Sequence, residues 1–492
     1  MKSSLQDYFQ SYRENIVGHD ASFIGPHGEK KLVYADWIAS GRLYHPIETF
    51  MLNELGPYVA NTHSESSYTG KKMTMAYTEA KKTIKDHVNA SDQDVIIASG
   101  AGTTAVLCKF QRILGIIYPE PLTGMKHQIP NCDRPVVFIT HMEHHSNQTT
   151  WLESIADVVV LAPNADLTVN PLTLERELAK YSDRKVKIGS FTACSNVTGI
   201  VTPFHELAAI MHGHGGYCFV DFAASAPYVS IDMHPVDPNQ RLDAVFFSPH
   251  KFLGGVGSSG VLVFNKELYK NHIPDHPGGG TVTWTNPWGE HAYYSDIEIR
   301  EDGGTPPFLQ TIRAALSIRL KEKMGVKNIA AREKELVELC FQRFDAMPEL
   351  HVLSDHVRER LGVFSFYSPK IHFNLLVALL NDRYGIQVRG GCSCAGTYGH
   401  LSLQVSKEQS KSITDKIDHG DLTEKPGWVR LSLHPTMTNG ELNFIMDAIQ
   451  EITENIDIWK QEYTYDPIHN EFTHNSTTVK DKGDYQTILA HL

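Results

Sequence analysis

The chain has 492 residues, of which 41% are apolar and 21% charged, and a net charge of −12. That composition belongs to an ordinary globular chain and excludes global disorder and a fibrous repeat. The acidic balance counts against a nucleic-acid surface or a polybasic membrane anchor, and no apolar run approaches the ~20 residues of a bilayer-spanning helix.

The first residues, 1–18, mix charged and polar groups without the apolar core of a signal peptide. The seven cysteines are scattered, odd in number and without disulfide-scaffold spacing. Both features point to a reducing compartment, the cytoplasm.

From about residue 94 to 264, short β-branched runs alternate with helical patterns. The runs cover 94–99, 135–140, 157–161, 186–190, 218–221, 243–248 and 260–264. They are nearly continuous in apolar character and too short for helices, which predicts strands of a mainly parallel sheet buried on both faces. Helical stretches at 174–181 and 206–211 make the alternation that of an α/β layer fold. Beyond Pro306 and Pro307 come two longer helical patterns, the second at 329–344. A smaller α/β unit follows, with strands at 363–367, 387–389 and 429–433 and helices at 372–381 and 441–456. Residues 406–426 are rich in Lys, Ser and Asp and read as a solvated insertion. The tail after Tyr463 is polar and aperiodic. The predicted division is an N-terminal segment 1–32 joining the small unit, a large domain 33–325, a small C-terminal domain 326–460 and a tail 461–492.

The strongest chemical signal is Ser248-Pro249-His250-Lys251, which closes an apolar strand and is followed by glycines. A lone lysine on a loop is by default solvated. At the mouth of a buried strand, desolvation lowers its pKa toward a usable amine, one able to form a Schiff base with a carbonyl cofactor. Asp221 ends another apolar strand; alone it reads as a helix cap. Beside pyridoxal phosphate (PLP) it would pair with the pyridine nitrogen. Gly100-Ala101-Gly102-Thr103-Thr104 joins a strand to a helix, where backbone N–H groups and the hydroxyls of Thr103 and Thr104 can cradle a phosphate. His141, Glu143, His144 and His145 also read as metal ligands. A strand-to-helix junction offers them no single convergent face, so no metal is assigned.

As a set these motifs resemble the class V aminotransferases, which are fold-type I PLP enzymes, and among them cysteine desulfurases and selenocysteine lyases. The resemblance runs in order from about residue 33 to 452. It implies that Lys251 carries the cofactor, with Ser248 and His250 beside it and Asp221 on the pyridine nitrogen. His144, in Glu143-His144-His145-Ser146-Asn147, would stack on the ring and shuttle a proton. Asn196, in Ser195-Asn196-Val197-Thr198-Gly199, would contact the phenolic oxygen. Thr305, in Gly303-Gly304-Thr305-Pro306, would reach the phosphate of a second subunit in a homodimer. Arg430, helped by Arg389, would grip the substrate carboxylate. Cys394, in Arg389-Gly390-Gly391-Cys392-Ser393-Cys394, falls at the place of the nucleophile that takes sulfur as a persulfide.

The implied reaction releases sulfur from L-cysteine, or selenium from selenocysteine, and leaves alanine, with a sulfur-acceptor protein as partner. The sequence departs from the family in two places. Cys392 and Ser393 stand where two histidines are usual, and Ala224 stands where a glutamine contacts the phenolic oxygen. If the 392–394 segment is extended, Cys392 and Cys394 point the same way and Cys392 can relay sulfur. The Gly-Cys-x-Cys pattern and Gly278 to Gly280 are also similar to the desulfurase domain of molybdenum cofactor sulfurases. Three alternatives stay open: such a sulfurase-like enzyme, a class V aminotransferase, lyase or epimerase without a cysteine nucleophile, and a non-catalytic binding protein of the same fold.

Overall fold

A computed structural model describes residues 4–476. Seven strands form the central sheet: β1 (Asp94–Ser99), β2 (Val136–Ile139), β3 (Asp157–Val160), β4 (Lys187–Thr192), β5 (Tyr217–Asp221), β6 (Ala244–Phe247) and β7 (Gly260–Asn265). Their spatial order is β1-β7-β6-β5-β4-β2-β3. The neighbours from β6 to β3 pair in parallel, while β7 runs antiparallel between β6 and β1. Each residue of β2, β4 and β6 is buried, as two-faced burial of a parallel sheet requires. The fold is thus the α/β arrangement expected, a large mixed sheet with a second, smaller α/β unit.

The smaller sheet contains β8 (His351–Val352), β9 (Val363–Tyr367), β10 (Arg389–Gly391) and β11 (Trp428–Ser432), in the order β8-β9-β11-β10. Helices Val326–Asp345, Phe373–Tyr384 and Asn439–Trp459 cover it, and Leu336, Phe364, Leu379, Val429 and Ile449 share its core. The N-terminal helix Leu5–Glu14 joins the same cluster through Phe9 and Tyr12, and Arg13 forms a bidentate pair with Glu441. The strand Val33–Tyr34 then pairs with Ile386–Gln387 and carries the chain toward the large sheet.

Residues 406–426 are solvated and contain the helix Lys407–Asp418, which buries no residue. A capping box between Ser406 and Gln409 starts it, and the Lys411–Asp415 pair adds an i,i+4 contact. One expectation for the second half needs correction: the segment after Tyr463 is not aperiodic. Tyr463–Asp466 and Glu471–His474 pair as a hairpin whose Tyr465 and Phe472 rings pack 4.7 Å apart. The remainder of the tail lies outside the described residues. Among the described residues, no helix is long and apolar enough to cross a membrane.

Candidate active site

The carboxyl ends of the parallel strands open onto one cavity of about 210 Å³, the crevice where open α/β sheets bind ligands. Lys251 and Asp221 lie on its floor. Lys251 follows β6 through the short turn Pro249–Lys251, and Asp221 is the last residue of β5. Burial lowers the Lys251 amine to about 8, against the pull of the Asp221 carboxylate. Burial also raises Asp221 to about 6, opposed by the Ala223 N–H at 2.8 Å and by Lys251. His144 lines the same cavity. Burial, then the charge of Lys251, pushes it down to about 4 and keeps it neutral near pH 7. The Ser146 N–H donates to its Nδ1 at 3.1 Å, which puts the ring proton on Nε2.

One side of the cavity is an oxyanion cradle. The helix Thr103–Ile113 begins there, and Thr103 and Thr104 line the cavity beside Ser248 and His250. The Ser248 hydroxyl accepts the Thr103 N–H at 2.9 Å and lies 2.7 Å from the Thr103 hydroxyl; His250 Nδ1 donates to the Ala101 carbonyl at 2.9 Å. A Cβ on Gly102 would lie 3.1 Å from both Ser248 Oγ and His250 Cε1 and would fill this cradle. Backbone N–H groups and hydroxyls at a helix start suit a phosphate.

The opposite wall comes from the smaller sheet. Arg389 and Arg430 sit directly opposite each other on β10 and β11, an arrangement that repels unless a counter-charge intervenes. Asp36 supplies it. Its Oδ1 accepts from Arg430 Nη2 at 2.9 Å and its Oδ2 from Arg389 Nε at 3.2 Å. One carboxylate between two guanidiniums leaves a net positive charge facing the cavity, and Arg430 Nε is buried without a partner. Such a charge suits one further carboxylate. The sequence reading missed Asp36; its signal was an acidic residue inside the apolar run Tyr34-Ala35-Asp36-Trp37-Ile38.

Cys394 also lines this wall and is exposed. Ser393 and Cys394 both take left-handed backbone angles, φ of 52° and 57°, which non-glycine residues adopt at a penalty of about 1–3 kcal/mol each. The strained turn is clamped from the large sheet. The Asn196 amide donates to the Ser393 carbonyl at 2.7 Å and the His145 N–H to the Cys394 carbonyl at 2.8 Å. His145 Nε2 accepts the Gly396 N–H at 2.9 Å.

Comparison with known proteins bears directly on this arrangement. Residues 33–444 match the family profile described as Aminotransferase class-V. The chain belongs to that family. It is 31% identical over 376 residues to a probable cysteine desulfurase of Staphylococcus epidermidis, a span of 74% of this chain and 84% of that one. A cysteine desulfurase of Haloferax volcanii is 25% identical over 424 residues, 82% of this chain and 93% of its own. Among solved structures, the apo cysteine desulfurase of Thermococcus onnurineus superposes with a TM-score of 0.70 at 21% identity, over 90% of this chain and 98% of its own. An Escherichia coli cysteine desulfurase in an S-sulfonic acid form gives 0.65 at 20% identity, over 86% and 94%. The shared architecture is fold-type I.

Most of the residues singled out by the class V resemblance meet in this one cavity, and the exceptions are informative. Thr305 does not line it; it borders a separate depression with Gly100, Lys109 and His276. Cys392 does not line it either, and packs against the cluster of Tyr398 and Trp428. The segment is a turn and not extended, so the geometric premise for a Cys392 relay fails. The neighbouring polar residues around His144 disperse. His141 Nε2 contacts the Leu167 carbonyl at 2.9 Å, and Glu143 accepts from Thr140, Asn147 and Thr192. Asn196 lends its amide to the Cys394 turn, while its Oδ1 is buried without a partner. Ala224 lines the cavity with no polar side-chain atom to offer. A basic amine, a carboxylate, a neutral imidazole and a phosphate cradle around one cavity are the donor set that pyridoxal phosphate fits.

Proposed function

We propose that this chain is a PLP-dependent cysteine desulfurase. The observation that carries the reading is the meeting of two unlike walls: Lys251 and the buried Asp221 on one side, and a clamped, exposed Cys394 with two arginines on the other. Lys251 would hold the cofactor, Asp221 its pyridine nitrogen, His144 its ring face, and Thr103, Thr104, Ser248 and His250 its phosphate. When bound, the cofactor supplies an electron sink for the carbon next to the substrate amine.

The chain's own groups do the rest. Arg430 and Arg389 bind the substrate carboxylate against the positive edge left by Asp36. Lys251, an amine near pH 8, takes the α-proton and later returns it. Cys394 attacks the substrate sulfur as a thiolate. An S–S bond forms, the C–S bond breaks, and its electron pair stays with the substrate carbon, which is then protonated and leaves as alanine. His144, neutral with Nε2–H facing inward, can donate that proton. The persulfide passes to a reductant or an acceptor protein. All seven cysteines are free and none is paired in a disulfide, which supports a cytoplasmic setting.

Purified protein given L-cysteine and a reductant should release sulfide and alanine in equal amounts. Cys394→Ala should lose sulfide release to background while L-cysteine still changes the cofactor absorption. Sulfide release at the wild-type rate from that variant would overturn the mechanism, and transamination with a keto acid instead would favour the aminotransferase reading.

The same reading extends to a homodimer in which Thr305 serves the second subunit's phosphate. In support, the Gly304 N–H donates to the Gly279 carbonyl at 2.8 Å, which fixes the Thr305 loop to the base of a hairpin. That hairpin carries Trp284 and Trp288, 50% and 83% exposed. Light scattering should report a dimer, and a fully active monomer at assay concentration would exclude the arrangement.

A further inference from the structure

The two ends of the described chain meet away from the cavity. His27 lies in the turn between strands Ser22–Gly25 and Gly28–Lys31, Glu462 follows the long helix Asn439–Trp459, and His474 ends the final strand. His27 Nε2 and His474 Nε2 each lie 3.5 Å from Glu462 Oε2, and the three atoms fall within 4.8 Å of one another. A separation of 3.5 Å is long for a hydrogen bond. It does match the ligand-to-ligand edge of a tetrahedral zinc site, roughly 3.3–3.6 Å for bonds of about 2.0–2.2 Å.

One further observation points the same way. His27 Nε2 is buried and has no hydrogen-bond partner. At His474 the Ser476 N–H donates to Nδ1 at 3.2 Å, which without a metal leaves the ring proton on Nε2, as at His144. A metal on Nε2 would displace that proton to Nδ1, where the Ser476 hydroxyl at 2.7 Å can accept it.

The competing account is a metal-free latch in which Glu462 neutralises Arg383, whose Nη2 lies 2.6 Å from Oε2. That pair does not exclude a cation. A carboxylate offers two oxygens and about four acceptor positions. Arg383 is also held by stacking 3.9 Å from the Trp459 ring, so it can keep one acceptor position of Oε2 while the other serves a metal. We propose that His27, Glu462 and His474 hold one divalent cation of the zinc class, with an exchangeable fourth ligand. Two imidazoles and a carboxylate are the donor set that zinc accepts and that calcium and magnesium disfavour. The ion would pin the first hairpin to the last, closing nearly the whole chain into one loop.

The test uses full-length, cofactor-loaded protein stripped with a chelator and titrated calorimetrically with zinc alone. Wild type should bind one equivalent more than the His27→Ala/His474→Ala variant, and zinc should raise its unfolding temperature but not that of the variant. Equal stoichiometry and equal shifts would make the cluster a metal-free latch and overturn the proposal. Should the double variant fail to fold, His474→Gln decides on the same two readouts. Neither readout depends on Lys251 or Cys394, so this site and the desulfurase reading stand or fall separately.

Discussion

The two walls of the cavity are built by opposite means. The floor is made of strand ends: Lys251, Asp221 and His144 are enclosed, and the first two are poised, near 8 and near 6, by burial working against mutual attraction. The facing wall is made of a strained turn and a charge triad, with Cys394 exposed and Asp36 shared between two arginines. Desolvation tunes the first wall and hydrogen bonds aim the second. A group that must hold a cofactor needs a fixed environment. In the proposed function Cys394 passes sulfur outward and needs access, which a clamped turn supplies.

Removing the amine tests the floor most severely. Lys251→Ala should lose turnover to background and leave no cofactor trapped by borohydride, while the fold survives. Retained turnover in that variant would dissolve the distinction between the walls. Asp36→Ala tests the second wall through its counter-charge. Leaving Arg430 without its counter-charge should destabilise the protein by about 3–5 kcal/mol, as breaking a buried pair does. Asp36→Asn, which still accepts a hydrogen bond, should lose less stability and show its effect as a raised KM for L-cysteine with unchanged cofactor absorption. A fall in kcat alone would place Asp36 outside carboxylate binding. The smallest effect concerns pH. Capture of cofactor needs the neutral amine, whose fraction grows as pH rises, so uptake by stripped protein should accelerate through about pH 8. Asp221→Asn removes the carboxylate that holds the amine's proton, and the midpoint should move to lower pH. A midpoint that stays in place, followed by absorbance, would show that the two groups are not coupled.

Much of the floor could be read from the sequence because its residues interrupt apolar runs, and a charge closing a buried strand is conspicuous. The charge triad was less accessible. Asp36 follows a strand of only two residues, too short for any period, and its partner Arg430 lies 394 positions along the chain. The left-handed turn at Ser393 and Cys394 was hidden for another reason. Neither residue type favours that conformation, which the hydrogen bonds from Asn196 and His145 impose. The helix Lys407–Asp418 was masked by a polar composition that hides its capping box. The terminal hairpin was masked by charge, although Tyr463, Tyr465 and Phe472 carry the pattern of a strand pair. His27 and His474 have no spacing that could suggest a shared ion.

The placement of Asp36 also has a meaning in time. At a synthesis rate of ~5–20 residues per second, the 394 positions separating it from Arg430 take on the order of 20–80 s to emerge. For the 138 positions between Lys251 and Arg389, the strand ends carrying Lys251 and Asp221 exist while Arg389, Cys394 and Arg430 do not. With the roles proposed for these residues, a nascent chain would hold the cofactor before it could grip an amino acid's carboxylate or accept its sulfur. Release of sulfide would wait until β11 slides in beside β9 and Asp36 meets Arg430.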